Sequence, residues 1–230
     1  MATGRTASPL ARLAAAFEDG TDLLSQAVAV LRARPDRSEL TFYEVDDPAD
    51  LPIGAADRRL LAAYEEVTGG PLDLTALCGA CGARTTLSLT VSSVGRHMWA
   101  SVRTGQGRGL REPSYADLLA CPGEPAAILA RCRLGAVAGP DQARGTWADL
   151  DRAEQSLAGP LRSACAECGE PVTVDADVVA MVLRGLAVVC AEFDREVHLL
   201  ASTYGWDLPT IEALPDQRRQ RLAALVSGVA

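Results

Sequence analysis

The sequence predicts an α+β fold that is mostly α: cysteine-bearing β-knuckles with a long insertion, flanked by N-terminal helices and a C-terminal helical hairpin. Three observations predict it. Cys78-Gly79-Ala80-Cys81-Gly82 recurs as Cys165-Ala166-Glu167-Cys168-Gly169, and each turn precedes a stretch that alternates like a strand, 86–91 and 171–174. Apolar residues recur at helical spacing through much of the first 70 positions. The same period runs through 176–204, with Val178, Val182, Leu186, Val189, Cys190, Phe193, Val197 and Leu200 on one stripe. The regions expected are a helical part at 1–70, the knuckles with their insertion (about 95–160) at 71–175, and the long helix with returning short helices at 176–230.

The first seven residues read as disordered. Helices are expected over 10–17 and 21–34, broken by Asp19-Gly20 and stopped by Pro35. Residues 40–45 are β-prone. The next helix covers 55–67, with Leu60, Leu61 and Tyr64 spaced for burial and Asp57 and Arg58 on the polar side; Gly69-Gly70-Pro71 stops it. Leu72, Leu74 and Leu77 form a strand into the first knuckle. Residues 84–94 and 97–102 then read as a β-hairpin. The Gly-rich run at 104–109 lacks the Lys-Ser or Lys-Thr and following helix of a phosphate loop. Short helices are expected over 113–121 and 125–133, each opened by proline, and another over 146–157, ended by Gly159-Pro160. Asp175 is a candidate cap for the long helix, Gly205 its stop, Asp207 the cap of a short helix, and Pro215 the start of the last.

A C-x-x-C-G turn aims backbone N–H groups at thiolate sulfurs, and its glycine permits the positive φ required. One knuckle supplies two ligands, whereas a tetrahedral structural Zn²⁺ takes four. Cys78, Cys81, Cys165 and Cys168 therefore read as one zinc-ribbon site, against metal-free thiols or two labile disulfides. Such a closed Cys₄ site argues against metal catalysis. Cys121, Cys132 and Cys190 fall at apolar helix positions and read as packing residues. His97 and His198 lie in no metal-binding motif, and His198 reads as solvated rather than as a base. Tyr204 and Trp206 mark a corner that either packs internally or anchors a partner. Arg218 and Arg219 lie on the last helix, either on a solvated face or against an acidic partner.

The net charge of −8 disfavours nucleic-acid binding, and every basic residue is arginine. No run of 18 apolar residues suggests a membrane span, and the N-terminus has no signal-peptide pattern. Seven cysteines, four of them in C-x-x-C pairs, fit a reducing compartment, so the cytoplasm is expected.

Four stretches carry a likeness to a known family. They are Leu51-Pro52-Ile53-Gly54 with Asp57, Leu60 and Leu61; the two knuckles around an insertion; Arg111-x-Pro113-Ser114-x-x-Asp117-Leu118 with Leu129-Ala130-Arg131-Cys132; and Arg195-Glu196-Val197-His198-x-Leu200-Ala201-x-x-Tyr204-Gly205-Trp206 with Ile211, Leu214, Arg218 and Arg219. Across about 50–226 the chain resembles the baseplate hub assembly chaperones of T-even-type contractile phages and related contractile injection systems. Family members usually have proline after the first knuckle cysteine, where this chain has Gly79 and Ala166. The resemblance implies a non-enzymatic assembly factor that binds hub, spike or tail-tube initiator proteins. A zinc-ribbon adaptor for nucleic acid or the transcription machinery is the alternative, and an enzyme using His198 with nearby carboxylates is a third reading.

Overall fold

The computed structural model describes residues 9–19, 22–96, 102–103, 109–134, 150 and 155–228. The first seven residues, His97 and Trp99 lie outside these, as do all but Leu150 and 155–157 of the helix expected at 146–157. Leu150 is helical, and 155–157 are not.

Helices α1 (Pro9–Asp19) and α2 (Leu23–Ala33) form on their apolar periodicity. Asp22 caps α2 by accepting the Ser25 N–H at 3.0 Å. The β-prone stretch at 40–45 is instead largely helix α3 (Arg37–Tyr43). Its Tyr43 is buried in the core, so packing overrides local propensity. The chain leaves α3 through Glu44 at φ 56°, with the Val45 N–H donating to the Leu40 carbonyl at 3.1 Å.

Helix α4 (Ile53–Thr68) ends at Gly69, φ 71°, and leads into β1 (Leu72–Leu77). β1 pairs antiparallel with β2 (Arg84–Leu89), placing Leu74 opposite Leu87. β2 pairs back across the knuckle, because the C-x-x-C-G turn is itself the hairpin bend. Of the expected partner strand 97–102 only Val102 lies within the described residues. Strands β3 (Val102–Arg103), β4 (Gly109–Leu110) and β5 (Arg133–Leu134) make a small sheet in that order. Between β4 and β5 lie α5 (Tyr115–Ala120) and α6 (Pro125–Cys132). Pro125 opens α6, but α5 is capped by Ser114 in a capping box with Asp117, and Pro113 stays outside it.

β6 (Ala158–Ala164) and β7 (Pro171–Asp177) form the second hairpin. Gly159-Pro160 therefore lies within a strand rather than ending a helix; among the described residues β6 has a partner on one side only, where proline is tolerated. Because β7 runs to Asp177, that residue rather than Asp175 caps α7 (Val178–Tyr204), accepting the Ala180 N–H at 2.9 Å. Gly205, φ 66°, ends α7; α8 (Leu208–Glu212) and α9 (Asp216–Ser227) return, with Pro215 just before α9.

One cluster joins Leu13, Leu31, Leu60 and Leu61 to Leu183 and Leu186, so the N-terminal helices and α7 share a core. Gly185 permits the contact of α7 with α4: a Cβ there would meet Tyr64 Cε2 at 2.5 Å. Past that core, Phe193 and Leu200 of α7 are buried along with Ile211 and Ala223 of the returning segment. Among the described residues, no helix is long and apolar enough to cross a membrane.

Candidate metal centre

Each hairpin ends in the same turn, made by the same bonds. The Cys78 N–H donates to the Ala83 carbonyl and the Gly82 N–H to the Cys78 carbonyl; the Cys165 N–H donates to Glu170 and the Gly169 N–H to Cys165. Gly82 and Gly169 have φ of 72° and 74°, where a side chain would be strained. The hairpins place the knuckles face to face. Cys78 Sγ lies 3.7 Å from Cys168 Sγ, Cys81 Sγ lies 3.7 Å from Cys165 Sγ, and all four sulfurs fall within 4.8 Å of one another. A tetrahedral ion with metal–sulfur bonds of ~2.3 Å sets its sulfurs about 3.8 Å apart, so the donor set fits one such ion. Cys78 and Cys165 are buried against Val172, while Cys81 and Cys168 face solvent.

The surroundings favour thiolates at the buried pair. The Cys81 and Ala80 N–H groups lower the Cys78 thiol pKa. The Cys168 N–H, the Thr85 hydroxyl and the Glu167 N–H bring Cys165 down to about 6. At Cys81 the Ala83 N–H also favours the thiolate, but the crowding of Cys168, Cys165 and Cys78 outweighs it and pushes the thiol up to about 12. Four sulfurs at this spacing cannot all ionise without a cation between them, and a divalent ion supplies that charge. Thr85 is 3% exposed, and its Oγ1 makes no hydrogen bond of ordinary geometry.

A second polar cluster holds the base of the insertion. Asp57, placed on the polar side of its helix by the sequence, is buried. It accepts the Tyr115 hydroxyl at 2.6 Å and the Leu157 N–H at 2.7 Å. Burial raises its carboxyl pKa to about 6. Glu112 Oε1 accepts the Gly54 N–H at 2.9 Å and the Gln155 N–H at 3.1 Å. Arg58 donates to the carbonyls of Gly54, Gln155 and Gly95 at 2.7, 2.9 and 3.0 Å. Asp117 accepts two bonds from Arg111 and one from Arg131. The signal for Asp57 lies in the periodicity: it precedes Leu60 and Leu61 by three and four positions, on the stripe that turns inward.

The remaining candidates separate. Arg219 is not on a solvated face: at 2% exposure it pairs with Glu196 at 2.8 Å and Asp216 at 2.7 Å, and its guanidinium sits 4.7 Å from the Phe193 ring centroid. α9 turns this arginine toward α7, where the buried Glu196 needs a counter-charge. Arg218 is exposed. Tyr204 and Trp206 stack at 4.9 Å, Tyr204 exposed and Trp206 half-buried. His198 is exposed, and its carbonyl accepts the Ser202 hydroxyl at 2.6 Å. Cys132 and Cys190 are buried as packing residues; Cys121 is half-buried.

No protein-family model matches the chain, and neither a curated protein nor a solved structure matches it.

Proposed function

We propose that the chain is a non-enzymatic assembly factor for the baseplate hub of a contractile tail or injection system, stapled by one structural Zn²⁺ on Cys78, Cys81, Cys165 and Cys168. The observation that carries the scaffold is the meeting of four sulfurs, from both ends of a long insertion, at tetrahedral spacing. Zinc suits an all-thiolate tetrahedron, and a Cys₄ set leaves no open position for substrate.

The assembly role rests on the likeness of 195–219. Within that stretch Glu196, Leu200, Gly205, Ile211 and Arg219 serve the corner itself, by burial, ion pairing or left-handed backbone. Tyr204 stays exposed and stacks on half-buried Trp206, and Arg218 is exposed on α9, which leaves aromatic and cationic groups for a partner.

The test mixes the purified chain with purified hub, spike and tail-tube initiator proteins encoded beside it, with zinc measured by elemental analysis. One zinc per chain and a stable complex with one of these proteins are expected, weakened by Trp206→Ala while the fold is kept. Failure to bind any of them would remove the assembly reading. A low-salt gel shift would then favour the nucleic-acid adaptor.

A further inference from the structure

The two hairpins share one register, and at one buried position beside the knuckles they differ by a polar group. Thr85 stands four residues after Cys81, and Val172 stands four residues after Cys168. Thr85 pairs across its hairpin with Ala76, and Val172 with Ser163. Directly paired residues point to the same side of a two-stranded sheet. Ala76 packs into the cluster of Cys78, Cys165 and Val172, so Thr85 faces the sulfurs as well. Threonine and valine have nearly the same shape. The difference is one hydroxyl, buried and without an ordinary hydrogen bond, where the other hairpin carries a methyl group. An unsatisfied buried hydroxyl is costly, and a valine here would avoid that cost.

We infer that Thr85 is a positioning residue of the metal centre: its hydroxyl donates to the Cys165 thiolate when the metal is bound, so that Cys165 and Cys78 are inequivalent ligands. The inference rests on the metal reading above. Metal-bound thiolates retain lone pairs and negative charge, and a donor aimed at one of them lowers its electron density and fixes its orientation. Val172 gives Cys78 no such donor.

The test compares wild type with Thr85→Val, Thr85→Ser and Val172→Thr, using zinc affinity by chelator competition and the sulfur-to-cobalt charge-transfer band of the Co²⁺-loaded protein. Thr85→Val is expected to weaken zinc about 10-fold or more and to move the band to lower energy. Thr85→Ser is expected to restore both. If Thr85→Val does not fold, Val172→Thr decides: a shift to higher energy supports the role, and an unmoved band overturns it. Equal affinity and spectrum in wild type and Thr85→Val would overturn the inference and leave the metal centre standing. Loss in Thr85→Val without rescue by serine would reduce Thr85 to packing and overturn it too. A wild-type chain that binds no metal would remove both readings.

Discussion

The pair of hairpins is fastened at both ends, by unlike means. At one end, four sulfurs converge at a spacing that fits one metal ion. At the other, Asp57, Arg58 and Glu112 bind the incoming and outgoing backbone through the chain's own hydrogen bonds. With a metal bound as proposed, the first fastening responds to metal supply, thiol chemistry and chelators. The second depends on burial, protonation and close packing. A perturbation aimed at one end should therefore leave the other formed.

The largest effect expected is metal removal. A chelator should release the ion and cost several kcal/mol, because binding free energy at a structural site is folding free energy. Cys78→Ser should approach the same loss, since it removes a buried ligand, and exposed Cys168 should tolerate serine better. Thermal melts with and without chelator check this. Identical melts would show that the sulfurs close the hairpins without an ion. Next in size is Asp57→Ala, which strands the Tyr115 hydroxyl and the Leu157 N–H in the interior. A loss of about 4 kcal/mol in denaturant unfolding is expected, with metal stoichiometry unchanged. Loss of metal in this variant would show that the fastenings form one cooperative unit.

The two ends also differ in how far the sequence reveals them. Four cysteines in two copies of one turn make two half-sites of a single tetrahedron, so the candidate ligands are readable from spacing alone. The basal cluster uses residues of different types at 54–58, 112–117 and 155–157, and no local pattern links them before the chain folds. The helices show in their periodicity, whereas their boundaries move where burial or pairing intervenes. Tyr43 draws a β-prone stretch into a helix, and β7 runs two residues past the expected cap. Arg219 is hidden for a related reason: a short run of arginines does not say which one faces inward, and Glu196 across the corner decides it.

Protonation probes the basal end with a smaller effect. Burial lifts the Asp57 carboxyl to about 6, above the ~3.9 of an unfolded chain. Between these values the folded state binds a proton that the unfolded chain releases, so this group's contribution falls as pH rises from ~4 to 6, by up to ~3 kcal/mol. Asp117 has the opposite sign. Burial opposes its ionisation, but Arg111 and Arg131 hold it down to about 2, so its contribution is lost as pH falls below ~4. The stability difference between wild type and Asp57→Asn cancels the pH dependence of the metal site. It should move against wild type as pH rises from 4.5 to 6.5, and a flat difference would show that Asp57 ionises normally.

The smallest effect expected is also the most local. A Cβ on Gly54 would lie 2.5 Å from the Gln155 carbonyl oxygen and 2.7 Å from its carbonyl carbon. Backbone cannot rotate away as a side chain can, so Gly54→Ala must push 155–157 off α4. That displacement stretches the Arg58 and Glu112 bonds to Gln155 and costs about 2 kcal/mol. Hydrogen exchange should accelerate at the amides of Gln155 and Leu157, while those of β1, β2, β6 and β7 keep their protection as long as the metal stays bound. Faster exchange spreading into the knuckle strands would mean that the two fastenings share their stability, and that the ion holds the insertion only while the carboxylates at its base hold it too.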